Sequence, residues 1–333
     1  MNNLTSLFLS QSYQDTWEDY NRSLSSENFP KWDYIILTAS NENQAVGYRS
    51  QIESRRDVLP PETHFAVIPD EGNVRVGSGG ATLSVLRYIY KREEELKGVG
   101  SFKGLRILVI HSGGDSKRVP SYSALGKLFS PVPHKLPNGK SSTLFDEFLI
   151  AMSSVPSRIR EGMLLLSGDV LLLFNPLQID FPGRGAAAIS FKENVETGKN
   201  HGVFLNSEDG NVKKFLHKQT VETLRQMGAV NENDCVDIDT GALIFSTEMM
   251  NSLYSLIATP EDYHKYVNDT VRLSLYGDFL YPLAEDSTLE KFYDEKPEGE
   301  FCAELHAARA EVWKVLRPYR MKLLRLAPAK FIH

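Results

Sequence analysis

Two cysteines in 333 residues, Cys235 and Cys302, are too few and too far apart to form a disulfide framework. Neither belongs to a CxxC pair or stands at metal-ligand spacing from a histidine, which excludes a structural zinc site of the usual kind. No apolar run reaches the ~18 residues needed to cross a bilayer, and no basic segment precedes an apolar one in the secretory manner at the N-terminus. The expectation is a cytoplasmic protein, neither secreted nor membrane-bound, whose three Asn-x-Ser/Thr triplets at Asn3, Asn21 and Asn268 arise by chance. Positive charge is not in excess: 37 Lys and Arg stand against 43 acids, interspersed, for a net charge of −6. That balance argues against a nucleic-acid surface, so any anion site is local. The apolar and charged fractions are those of a globular protein, long enough for one large α/β domain or two smaller ones.

What the chain does have is alternation. Short apolar runs at Tyr34 to Thr38, Phe65 to Ile68, Ile107 to Ile110, Met163 to Leu166, Ala187 to Phe191 and Ala242 to Phe245 read as strands. Helical spacing appears at Leu83 to Lys97, Leu144 to Met152 and Val221 to Met227, and this order predicts a layered α/β fold with a mostly parallel central sheet flanked by helices. No internal repeat or low-complexity tract is present. Asp286 to Glu300 is charged and carries Pro297 and Gly299, marking a linker or excursion. After it, Ala303 to Arg317 reads as a helix and Met321 to Leu326 as a strand.

The stretch Ile107 to Pro133, ILVIHSGGDSKRVPSYSALGKLFSPVP, delivers a glycine loop from a buried strand. Ligands of open α/β sheets bind where such strands end. Ser112, Gly113 and Gly114 allow close backbone approach to an anion, and Arg118 and Lys127 supply charge for a triphosphate, so the ligand expected here is a nucleotide. A Walker loop fails on spacing: Ser121 stands where its first glycine belongs, and Leu128 where a hydroxyl should follow Lys127. The run Gly77-Ser78-Gly79-Gly80-Ala81-Thr82 also misses the dinucleotide fingerprint, because Thr82 replaces its third glycine. Ser167-Gly168-Asp169 follows another apolar run and puts a carboxylate at a strand exit, where a magnesium ligand would stand.

Together these segments resemble the signature of sugar-nucleotide pyrophosphorylases, and more narrowly the GDP-L-fucose pyrophosphorylase (fucose-1-phosphate guanylyltransferase) family. The resemblance rests on HSGG, Arg118-Val119-Pro120, SALGKLFSPVP and the upstream GSGGAT. It extends through KWDYIILTAS (Lys31 to Ser40), HGVFL (His201 to Leu205), KFLHKQ (Lys214 to Gln219) and YGDFL (Tyr276 to Leu280), in the same order. It implies a Rossmann-like nucleotidyltransferase joining GTP and L-fucose 1-phosphate with Mg2+, releasing pyrophosphate, with no nucleic-acid or membrane partner; a homo-oligomer is compatible with it. The same chemistry on another base or sugar, such as uridylyl transfer, and a non-catalytic nucleotide-sugar-binding module are the alternatives.

Such chemistry needs positioning and positive charge rather than a protein nucleophile. An arginine on the transferring phosphates contributes about ten-thousand-fold. Arg118 is therefore assigned to the β and γ phosphates and Lys127 to the α-phosphate, with Lys117 left as exposed charge. By resemblance, Lys218 in KFLHKQT corresponds to the lysine of an F-x-E-K-P pattern that contacts the sugar phosphate, although His217 and Gln219 replace its glutamate and proline. His201, Gly202, Asp239 and Gly241 are assigned to the sugar, Gly77, Gly79, Gly80 and Thr82 to the base or ribose, and Asp278 to a second metal contact beside Asp169. Each also admits a plain structural role: a solvated lysine, a turn-capping aspartate, a tight glycine turn. The domain reading puts the catalytic domain at 1–290 and a C-terminal extension at 291–333, which completes it or leads toward a β-helix-like region.

Overall fold

The computed structural model describes residues 3–112 and 127–332, and divides into two units. The first comprises residues 1–73, 104–181 and 326–333, and the second 74–103 and 182–325.

In the first unit, four parallel strands stand in the order β6, β3, β1, β2. They are β1 (Tyr34–Ala39), β2 (His64–Pro69), β3 (Arg106–His111) and β6 (Gly162–Ser167). All six residues of β1 are buried, which explains apolar letters broken only by Thr38: a strand covered on both faces has no polar side to alternate with. Burying each Ile or Leu of this kind contributes about 1.5–3 kcal/mol. The register pairs Thr38 with His111 and His111 with Ser167, so three strands end in one row at their carboxyl edge. Helix Glu42–Glu53 follows β1 and is capped by Asn41, whose side chain accepts from the Gln44 amide. A small antiparallel pair, β4 (Pro131–Lys135) and β5 (Ser141–Thr143), leads into helix Leu144–Ala151, where Thr143 and Asp146 form a capping box. Strand β7 (Leu171–Phe174) comes next.

The second unit holds β8 (Ala186–Asn194), β9 (Gly202–Asn206), β10 (Val212–His217), β11 (Cys235–Phe245) and β12 (Met321–Arg325). Strand β11 runs antiparallel to both β8 and β9, β10 is antiparallel to β9, and β12 is parallel to β8. Helices Gly77–Lys97, Thr247–Ser255 and Ala303–Leu316 belong to this unit. A last strand, β13 (Ala329–Ile332), returns to pair with β7 of the first unit.

The expected strands and helices are found, most within a few residues of their expected ends, but the helix expected from Leu83 begins at Gly77 and the strand expected from Ala242 begins at Cys235, where Asp237, Asp239 and Thr240 interrupt the apolar letters. Helix Asn3–Ser25 was not expected, because Ser12, Thr16 and Ser23 share its buried face with Leu9 and Tyr20 and blur the apolar period. The hydroxyls of Thr16 and Ser23 bond the Tyr13 and Tyr20 carbonyls of the same helix, so their burial leaves no donor orphaned. Inside the expected excursion Asp286 to Glu300 lies helix Leu289–Asp294, whose Phe292 is fully buried and stacks on Tyr281. The chain after residue 290 is divided, with 291–325 in the second unit and 326–333 in the first.

Candidate functional site

At the carboxyl edge of the first unit's sheet, β3 hands the chain to Ser112. The Ser112 hydroxyl donates to the Thr38 carbonyl at 2.7 Å, and its amide donates to the Thr38 hydroxyl at 3.3 Å. Ser112 thus ties the end of β3 to the neighbouring strand. Tyr48 of helix Glu42–Glu53 donates its hydroxyl to the Ser112 carbonyl at 3.1 Å, and burial pushes that phenol up to about 12. Burial also pushes the His111 imidazole down to about 4, so it stays neutral near pH 7, with Nδ1 3.3 Å from the Thr38 hydroxyl. Gly113, Gly114 and Arg118 lie outside the described residues.

Lys127 opens the short turn Lys127–Phe129. Leu128 and Phe129 are buried, and the Phe129 ring packs 5.3 Å from Tyr48 and 5.0 Å from Phe145. Tyr48 therefore touches Ser112 through its hydroxyl and Phe129 through its ring. On the next strand, the Gly168 amide donates to the His111 carbonyl at 2.8 Å, and a Cβ at Gly168 would sit 2.9 Å from that oxygen. This close approach brings Asp169 to the same strand ends as Ser112. The Ser167 hydroxyl donates to Asp169 Oδ1.

In the second unit, GSGGAT is the first turn and a half of helix Gly77–Lys97 rather than a loop before it. Gly77 takes φ +78°, and the amides of Gly79 and Gly80 both donate to the Leu273 carbonyl, at 2.7 and 3.3 Å. A Cβ at Gly79 would lie 2.8 Å from that oxygen. The glycines let two backbone segments touch, and these two amides are spent on protein. Thr82 is fully buried, its hydroxyl donating to the Ser78 carbonyl at 2.9 Å.

A cluster of five expected sugar-phosphate residues does form within this unit. Strand β9 begins at Gly202, where a Cβ would meet the Phe215 ring at 2.5 Å and the Asp239 Cβ at 3.0 Å. Only glycine leaves that space. The Lys218 amide donates to the His201 carbonyl at 3.1 Å as β10 ends, and Lys218 holds φ +49°, an uncommon conformation for a residue with a side chain. Asp239 lies where the β11–β8 register slips, next to Gly241 at φ +72°, whose amide donates to Asp239 Oδ1 at 2.9 Å. Burial pushes the Asp239 carboxyl up to about 6, against the opposing pull of that amide. Tyr276 donates its hydroxyl to the Gly241 carbonyl at 3.2 Å. The His217 imidazole is pushed down by burial and by the positive charges of Lys218 and Lys296.

Asp278, expected at metal, is 1% exposed and faces protein donors instead. Arg309 Nε donates to its Oδ1 at 2.8 Å, and the Ser274 amide donates to its Oδ2 at 2.6 Å. Burial raises its carboxyl, opposed by the Arg309 charge. Among the described residues, no group of three or more His, Cys, Asp or Glu is placed to hold a metal ion. Asp169 fits magnesium in another way: one carboxylate at a strand exit suits an ion that takes its remaining ligands from phosphates and water.

Tyr48, Thr38, Tyr276 and Arg309 were not singled out by sequence. Tyr276 stands inside the YGDFL segment and so had a signal. Tyr48 had none, since its partner is a backbone carbonyl 64 residues away.

Four parallel strands flanked by helices, with a carboxylate just beyond the end of one of them, define an α/β protein of the Rossmann-like layered kind. The chain belongs to the fucose pyrophosphorylase family: residues 100–333 match its model, described as the fucose pyrophosphorylase domain. It is 26% identical over 332 residues to a Mus musculus protein named fucose-1-phosphate guanylyltransferase, covering 91% of this chain and 55% of that one. A Homo sapiens protein of the same name is 27% identical over 340 residues, covering 91% and 53%. An Arabidopsis thaliana bifunctional fucokinase/GDP-fucose pyrophosphorylase is 28% identical over 283 residues, covering 75% of this chain and 27% of its own length. The chain spans about half the length of the first two. Among solved structures, HddC from Yersinia pseudotuberculosis complexed with GMP-PN aligns at TM-score 0.37 and 11% identity, over 90% of this chain and 92% of that one, too slight a likeness to carry an argument. No described helix is long and apolar enough to cross a membrane.

Proposed function

We propose that this protein is a guanylyltransferase that joins L-fucose 1-phosphate to GTP, giving GDP-L-fucose and pyrophosphate. The observation that carries this reading is the family match across residues 100–333, a span that includes the glycine loop, Asp169, Lys218 and Asp239.

The reaction brings one phosphate oxygen against the α-phosphorus of GTP, both anionic, so the barrier is chiefly electrostatic. In this reading Gly113, Gly114 and Arg118 receive the β and γ phosphates and Lys127 the α-phosphate. Lys218 neutralises the attacking sugar phosphate and helps align it. His201, Gly202, Asp239 and Gly241 line the sugar, with the raised Asp239 carboxyl accepting from sugar hydroxyls once ionised. Asp169 would hold magnesium, which when bound supplies charge neutralisation at phosphate oxygens. We assign Asp278 to the fold, since both of its oxygens are engaged by Arg309 and Ser274.

The test is pyrophosphate release with each of the four common nucleoside triphosphates, plus magnesium, against L-fucose 1-phosphate and a set of other sugar 1-phosphates. Release confined to GTP with L-fucose 1-phosphate is expected. Release with another pair would keep the chemistry and discard the substrates, and release with none would overturn the reading.

A further inference from the structure

We propose that Tyr276 is a positioning residue, whose hydroxyl holds the Gly241 peptide so that the Gly241 amide stays on the Asp239 carboxylate. The sugar role of Asp239 rests on the function proposed above; the positioning of Asp239 does not.

The contacts form a short chain within the second unit. The Gly241 amide donates to Asp239 Oδ1 at 2.9 Å, and among the described residues no other group donates to that side chain. On the other side of the same glycine, the Tyr276 hydroxyl donates to the Gly241 carbonyl at 3.2 Å. The β11–β8 ladder does not fix Gly241, because its register passes from Asp239 directly to Leu243. At φ +72° Gly241 holds a conformation that glycine enters and leaves easily. A side-chain hydroxyl on its carbonyl restricts that movement.

Tyr276 is itself anchored. The Leu275 amide before it donates to the Ser78 hydroxyl oxygen at 2.9 Å. Asp278 after it is gripped by Arg309 and by the Ser274 amide. The hydroxyl is thus carried on backbone fastened at both sides.

What Tyr276 controls is charge. A hydrogen bond donated to a carboxylate favours its ionised form, and burial opposes it; at Asp239 burial is the larger effect and the Gly241 amide the counterweight. The other ionisable groups of the surrounding strands are His201 before β9, His217 and Lys218 at the end of β10, Lys192 on β8 and Asp237 on β11, the last paired with Lys192 and Arg325. None of them donates to Asp239. Loss of the Tyr276 hydroxyl lets Gly241 turn its amide away, and the Asp239 carboxyl then ionises only at higher pH.

Carboxyl-carbon NMR of protein labelled in its aspartates follows this ionisation without any substrate, with Asp239→Asn assigning the signal. The wild-type midpoint is expected at about 6, and Tyr276→Phe, which keeps the ring, should raise it by about one pH unit. Tyr263→Phe is the control: its hydroxyl is bonded to Ser84 in the same unit, and its loss should leave the midpoint in place. An unmoved midpoint in Tyr276→Phe, or an equal rise in Tyr263→Phe, would overturn the proposal. In Tyr276→Phe the pH at which kcat/KM for the sugar phosphate rises should move upward with the carboxyl. A moved midpoint beside an unmoved kcat/KM profile would uphold the positioning and remove Asp239 from the sugar site instead. A protein that turned over no substrate would still report the midpoint, and so would still decide the proposal.

Discussion

Tyr48 donates its hydroxyl to the carbonyl of Ser112, the residue just beyond the end of β3. The same ring packs on Phe129, two residues beyond Lys127. One side chain thus touches both Ser112 and Phe129, and the sequence between those two residues includes both cations assigned to the triphosphate. Tyr48→Phe keeps the ring and removes the donor, leaving the Ser112 carbonyl without this partner. It should cost about 1–3 kcal/mol in urea unfolding and lower turnover in the pyrophosphate assay. Unchanged stability would show that the hydroxyl bond is dispensable.

The two aspartates first considered for metal should behave in opposite ways. Asp278→Asn breaks a buried ion pair with Arg309 and should destabilise the fold by about 3–5 kcal/mol. Asp169→Asn should leave the melting temperature nearly unchanged while turnover falls sharply and the magnesium requirement rises. Thermal melts and magnesium titrations of the two variants, run side by side, separate a structural carboxylate from a functional one. A stable Asp278→Asn enzyme that had lost its magnesium response would reverse the assignment.

Asp239 carries a pH signature. Its folded carboxyl is raised to about 6 from an ordinary 3.8, so the native state holds its proton more tightly than the unfolded chain does. Stability from this group is fully present below pH 4 and lost as the pH rises through 6, an effect on the order of 1–3 kcal/mol. Asp239→Asn should therefore gain on the wild type as pH rises from 4 to 7, measured as the gap between their melting temperatures. In the proposed reaction, kcat/KM for the sugar phosphate should rise with pH through the same window in the wild type and lose that rise in the variant. A constant gap would place the Asp239 carboxyl in a more solvated setting.

Lys218 stores strain at φ +49°. Glycine adopts that conformation freely, so Lys218→Gly should stabilise the protein by up to about 1 kcal/mol, even after its added unfolded-state freedom is counted. Turnover should fall by about two to three orders of magnitude, as expected when a charge on a transferring phosphate is removed. Lys218→Ala should lose the same activity without the gain in stability. A Lys218→Gly variant that is both stable and fully active would take this lysine out of the mechanism.

Most of the sheet was legible because β1, β3 and β6 are buried on both faces and therefore spell apolar runs with few breaks. Helix Asn3–Ser25 was not, since hydroxyls occupy its inner face and are satisfied by its own carbonyls. The residues assigned to the sugar phosphate were chosen through resemblance, and His201, Gly202, Lys218, Asp239 and Gly241 lie together in one unit. Composition could not have shown why Gly202 must lack a side chain, because the Phe215 ring that fills the space comes from a separate strand. The Arg309–Asp278 pair was equally hidden: an aspartate after glycine in YGDFL looks the same whether it faces a metal or a guanidinium 31 residues on.

The contact of Gly79 and Gly80 with Leu273 changes what their letters mean in evolution. A larger residue at Gly79 would push apart two backbone segments whether or not a nucleotide ever arrived, so folding alone would keep glycine there. A descendant that had lost catalysis would still spell the motif, and a search on those letters would gather proteins that pack this helix in the same way, active and inactive alike.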